Sequence, residues 1–150
     1  MELSDLYSEK ILDLAGNAVQ PGRLADADVS ARKVSRVCGS VIEVDLKVSD
    51  GVIVAYGHEL SACALGQTSA AVVAREIAGT PVPAFLDVRQ AMHDMLKAEG
   101  RPPEGKWADL KYLEPVRAYP ARHVSTLLVF DAVAAALEKL ESPQAVAAGS

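Results

Sequence analysis

The chain has 150 residues, with 15 lysines and arginines against 20 aspartates and glutamates, a formal net charge of −5. Half of it is hydrophobic and only 5% aromatic, which suits one domain built on Val, Leu, Ala and Ile that buries roughly two-thirds of its unfolded surface. Basic residues cluster only in RKVSR at 32–36, which argues against nucleic acid as a partner because phosphate contacts need grouped Lys and Arg. No run approaches the roughly 20 apolar residues of a membrane span.

The opening MELSDLYSEK is not followed by the apolar segment of a signal peptide. A cytoplasmic protein is expected, and there two cysteines are reduced thiols rather than a disulfide. A first helix is predicted from about Ser4 to Ala15, with Ser4 as N-cap, Tyr7, Ile11 and Leu14 on one face, and Gly16 as the stop. QPGRLADADVS at 20–30 reads as a loop.

The clearest strand is VIEVDLKV at 41–48, where Ile42, Val44, Leu46 and Val48 alternate with Glu43, Asp45 and Lys47. Glu43 and Asp45 read as its solvated face. Ser49-Asp50-Gly51 is a hairpin turn, VIVAYGHEL the returning strand, and ARKVSRV a third strand. Beyond Cys63 the period changes. ALGQTSAAVVAREIAG reads as a helix stopped at Gly79, with Pro81 beyond. PAFLDVRQAMHDMLKAEG gives another, with Phe85, Val88, Met92 and Leu96 on one side and Gly100 as the stop. RPPEGKWADLKYLEPV is a proline-rich connection around a short turn or helix. A last helix runs from about Ala121 to Leu140. The order predicts an α+β fold: a small antiparallel sheet of about three strands with helices packed on one face. One domain is expected over 1–141, with a flexible tail at 142–150.

Chemistry centres on Cys38, in RVCGS, and Cys63, in HELSACALGQTS. Cys38 precedes a strand and Cys63 opens a helix, where free N–H groups and the helix dipole favour a thiolate. Two such loops can converge at one end of the sheet as a metal site. Equally, a free cysteine packs as a small hydrophobe, and no C-x-x-C pair reinforces the metal alternative. His58, at a strand end, and His93, among charged helix neighbours, are weaker candidates still.

LYSEKILDLAGN, VCGSVIEVDLKVSDGVI and ACALGQTSAAVVAREIAG together resemble the U-type iron–sulfur cluster assembly scaffold family, the NifU N-terminal, IscU and SufU group. The likeness extends through EPVRAYPAR and the last helix, and the Met95–Val116 connection is most similar to the SufU branch. The resemblance implies a non-catalytic scaffold or carrier that receives sulfur from a cysteine desulfurase, holds a labile cluster at Cys38 and Cys63, and passes it to apo-proteins. The cargo would be an iron–sulfur cluster, [2Fe–2S] foremost, with zinc as the other metal. Zinc-dependent sulfur acceptance and a metal-free regulatory partner of the same machinery are the other roles it implies.

Two positions depart from the family pattern. Its Cys-Gly-Asp triplet is Cys38-Gly39-Ser40 here, and its third cysteine aligns with Ser125. Zinc sites and clusters usually take four protein ligands, which one chain no longer supplies as thiolates. Three completions are open: His123 turning into the site beside Ser125, two protomers each giving Cys38 and Cys63 across a two-fold axis, or a thiol from a partner. Arg122, beside the altered position, is expected either to contact a partner or to be an ordinary solvated charge.

Overall fold

The computed structural model describes residues 8–16, 21–36 and 39–141. The expected Ser4 cap, Tyr7, the position of Cys38 and the 142–150 tail lie outside the described residues. The elements are α1 (Glu9–Gly16), β1 (Val29–Ser35), β2 (Ser40–Ser49), β3 (Val52–Ser61), α2 (Ala64–Glu76), β4 (Thr80–Pro81), α3 (Val82–Lys97), a 3₁₀ segment (Gly105–Ala118) and α4 (His123–Glu141), which is preceded by a 3₁₀ turn at Pro120–Arg122. At the start of α1 it is Ser8 that caps, its Oγ accepting from the Ile11 N–H at 3.2 Å.

The strands pair antiparallel in the order β1-β2-β3-β4, one more than expected, since β4 adds only two residues beside Val52 and Ile53. The β2–β3 hairpin turns through Asp50 (φ 51°) and Gly51 (φ 77°), the consecutive positive φ values that let a two-residue turn follow the strand twist. Alternation along β2 sends Ile42, Val44 and Leu46 into the core, all fully buried. Opposite them on β3 stand Leu60, His58 and Tyr56. α4 covers β1 and β2 and packs against α2 and α3, while α1 lies on α2. Burying Leu127, Phe130, Val133 and Leu137 of α4, at about 1.5–3 kcal/mol per side chain, seats this helix in the core, where Phe130 stacks on Phe85 of α3.

The other face of the sheet is not simply solvated. Residues 21–28 cross it as a strap: Gly22 bridges to His58, and the Asp28 N–H donates to the Leu46 carbonyl at 2.8 Å. A Cβ on Gly57 would collide with the Gly22 carbonyl, so the strap can lie this close only over glycine. Asp45 is therefore not on a wet face, contrary to its alternation; it is 1% exposed. Its carboxylate takes the Arg23 guanidinium in a bidentate pair at 2.6 and 2.9 Å, the Leu24 N–H at 3.0 Å and the Ser30 hydroxyl. Foremost the Arg23 hydrogen bonds hold its pKa down to about 2 against the opposing pull of burial.

The connection at 101–119 is more ordered than a short turn. Its 3₁₀ segment runs 14 residues with Pro115 inside. Trp107, Leu110, Leu113 and Val116 recur every third residue and all are buried, the spacing that three residues per turn lines up along one ridge. Among the described residues no helix is long and apolar enough to cross a membrane.

Candidate thiolate site

β3 ends at Ser61 and two residues later Cys63 caps α2 in an extended conformation (φ −69°, ψ 172°) with no side chain capping the helix. The first turn is closed by the Gln67 N–H on the Cys63 carbonyl at 2.9 Å and by Gln67 Nε2 on the Ala62 carbonyl at 2.8 Å. The thiol is half-buried. Its Sγ stands 3.7 Å from Ser125 Oγ, to which the S–H donates.

Ser125 comes from the first turn of α4 and is 1% exposed. Its hydroxyl donates in turn to the Arg122 carbonyl at 3.3 Å, which also accepts from Thr126 Oγ1 at 2.8 Å. The two helix starts approach closely at Gly66, in the first turn of α2, where a Cβ would stand 3.1 Å from the Ser125 carbonyl oxygen. Gly66 went unnoticed in sequence, and its only signal there is a helix-disfavouring glycine inside a strongly helical stretch.

Cys38 lies outside the described residues, but the residues that bracket it are placed. Ser35 pairs with Ser40, the Gly39 N–H donates to the Ser35 carbonyl at 2.8 Å, and Val41 pairs with Ser61. The β1–β2 turn and the approach to Cys63 therefore share one end of the sheet. Ser40 is 2% exposed.

His123 faces the 3₁₀ segment. It is 8% exposed, and its Nε2 lies 3.0 Å from the Val116 carbonyl and 3.3 Å from that of Arg117. Carbonyls only accept, so Nε2 carries the proton and is committed to the backbone. Two positions from Ser125 along α4, His123 sits about 200° around the helix from it. Of the other histidines, His58 is buried in the core with Nδ1 2.6 Å from Tyr56 Oη. Burial pushes its pKa down to about 4, and burial, with the Asp45 charge added, raises that of Tyr56. His93 and Arg89 of α3 both reach Asp131 Oδ1 on α4, at 2.8 and 3.0 Å, which ties those helices together. Arg122 makes no ion pair among the described residues, whereas Glu43 pairs with Arg23 at 3.1 Å on the sheet exterior. No group of three or more His, Cys, Asp or Glu among the described residues is arranged to hold a metal ion.

The class these features define is an α+β domain that presents a thiol where a strand hands over to a helix. The model of the NifU-like N-terminal domain matches residues 6–126, and the chain belongs to that family. It is 31% identical over 138 residues to the iron–sulfur cluster assembly scaffold protein IscU of Thermotoga maritima, covering 92% of this chain and 96% of that protein. Among solved structures, the N-terminal NifU-like protein of Brucella abortus superposes with a TM-score of 0.90 at 48% identity, covering 94% of this chain and 98% of the other. A SufU scaffold protein from Fervidobacterium islandicum shares the fold, with a TM-score of 0.82 at 22% identity over 91% of this chain and 99% of the other.

Proposed function

We propose that this chain is a non-catalytic iron–sulfur cluster scaffold and carrier whose cargo is held by Cys38 and Cys63. The observation that carries the proposal is the half-buried Cys63 thiol at the N-terminus of α2, at the end of the sheet where Ser35 and Ser40 bracket the second cysteine. Thiolate is the preferred donor for iron–sulfur cargo, and the free amides of a helix start favour the negative charge of a metal-bound sulfur. The relative in Thermotoga maritima bears the name of an iron–sulfur cluster assembly scaffold, which supports the same role here.

Ligand count decides the form of the complex. The chain has two cysteines, a cluster of this kind usually takes four, and the His123 ring is turned toward the 3₁₀ segment. Two copies related by a two-fold axis supply four thiolates to one two-iron, two-sulfide cluster. Sulfur would come from a cysteine desulfurase and the cluster would go to apo-proteins, both in the cytoplasm. A set shared between copies suits a carrier, since separating the copies halves the ligands.

The test is anaerobic reconstitution of wild type, Cys38→Ser and Cys63→Ser with iron, sulfide and a desulfurase. Loss of iron and acid-labile sulfide in both variants is expected. Uptake unchanged in both would remove these cysteines from the site. Zinc retained from purification, with no iron uptake by wild type, would point to sulfur acceptance, and a protein that holds neither metal to a docking subunit.

A further inference from the structure

We propose that Ser125 is a positioning residue that serves the metal-bound sulfur of Cys63 as a hydrogen-bond donor and is not itself a ligand; this rests on the carrier function proposed above. The hydroxyl has one proton. In the metal-free chain it accepts from the Cys63 S–H and gives its own proton to the Arg122 carbonyl. When metal binds, the thiol proton leaves to solvent and the sulfur becomes an acceptor only. Rotation about the Ser125 Cβ–Oγ bond then turns the hydroxyl proton onto Sγ without moving a heavy atom. The Arg122 carbonyl loses one partner in this exchange but keeps the other, Thr126 Oγ1 at 2.8 Å. No buried acceptor is left unpaired, so the exchange avoids the penalty that usually opposes breaking a buried hydrogen bond.

Burial decides between donor and ligand. Cys63 is partly exposed and Ser125 is 1% exposed, so Ser125 meets the sulfur from the interior while cargo arrives at the solvent side. A neutral hydroxyl is also a weak ligand beside thiolate and sulfide. A hydrogen bond to a ligating sulfur draws electron density from it, which weakens donation to the metal. In a carrier that weakening favours release. Replacing the third thiolate of the family with a serine would thus exchange grip for lability.

The experiment loads wild type and Ser125→Ala with cobalt(II) alone and records the thiolate-to-cobalt charge-transfer band, the cobalt per chain and the rate of removal by a chelator, with circular dichroism to confirm folding. Expected for Ser125→Ala are an unchanged cobalt content, a band moved to lower energy, and removal a few-fold slower. An unmoved band with unchanged content overturns the role of Ser125 and leaves the carrier function standing. Loss of cobalt in Ser125→Ala makes the serine a ligand, which likewise overturns the proposal alone. A wild type that shows no thiolate–cobalt band overturns both.

Discussion

Gly66 on α2 lies against the backbone of Ser125 on α4 so closely that a Cβ at position 66 would stand 3.1 Å from the Ser125 carbonyl oxygen and 3.0 Å from the Ala62 Cβ. Both neighbours belong to the backbone or its first side-chain atom, so neither can swing aside. Gly66→Ala gains about 1 kcal/mol of helix propensity and loses about 1–3 kcal/mol to overpacking. The expected net is a loss of about 1 kcal/mol in urea unfolding, larger for Gly66→Val. Because the clash separates the starts of α2 and α4, the same variant should also loosen the Cys63–Ser125 contact. A Gly66→Ala protein as stable as wild type would show that the helices adjust freely.

Asp45 holds the strap to the sheet. Asp45→Ala leaves the Arg23 guanidinium, the Leu24 N–H and the Ser30 hydroxyl without their shared acceptor, a loss of about 3 kcal/mol by analogy with one-sided removal of a buried pair. The acid limb follows from its pKa of about 2, below the ordinary 3.8. The stabilisation is present above about pH 4 and is lost as pH falls toward 2. It amounts to at most about 2 kcal/mol, and less because the Arg23 side chain is 39% exposed. Chemical denaturation between pH 2 and 5 should show this slope in wild type and a flatter one in Asp45→Asn.

His58 acts in a higher window, and there too the folded state disfavours the proton. Burial lowers its pKa from 6.5 to about 4, so the unfolded chain binds the proton first. Stability falls as pH drops from about 6.5 and levels off below about 4, by up to about 3 kcal/mol. His58→Gln keeps a hydrogen-bonding partner for Tyr56 and removes the titration. Its stability should therefore vary less than that of wild type between pH 4 and 6.5, and equal slopes would mean that the imidazole is solvated.

His123→Ala separates structure from ligation. The Val116 and Arg117 carbonyls lose their Nε2–H donor, with an expected cost of about 1–3 kcal/mol in unfolding. Iron and sulfide uptake should stay at the wild-type level. Uptake abolished in a variant that is still folded would restore a three-ligand site within one chain.

The sheet was legible because its signal is local: Ile42, Val44 and Leu46 alternate and are all buried. Asp45 was misread because what buries it is the strap from Gly22 to Asp28, about 20 residues upstream, and alternation carries no information on a segment that crosses the opposite face. The 3₁₀ segment had a visible cue, Trp107, Leu110, Leu113 and Val116 at intervals of three, that the prolines obscured. Ser125 was found through family resemblance rather than spacing. Its contact with Cys63, 62 positions away, is a product of how α2 and α4 pack. His123 looked available because it is near Ser125 in the chain, yet the phase of α4 turns it toward the 3₁₀ segment.

The most direct measurement is the iron and acid-labile sulfide content of wild-type protein, reconstituted anaerobically with iron, sulfide and a desulfurase and separated by size. Two irons and two sulfides per pair of chains, eluting at the size of a dimer, is the result expected of a cluster shared through Cys38 and Cys63. Iron and sulfide in that ratio on a monomer, or no cluster on either species, would contradict it.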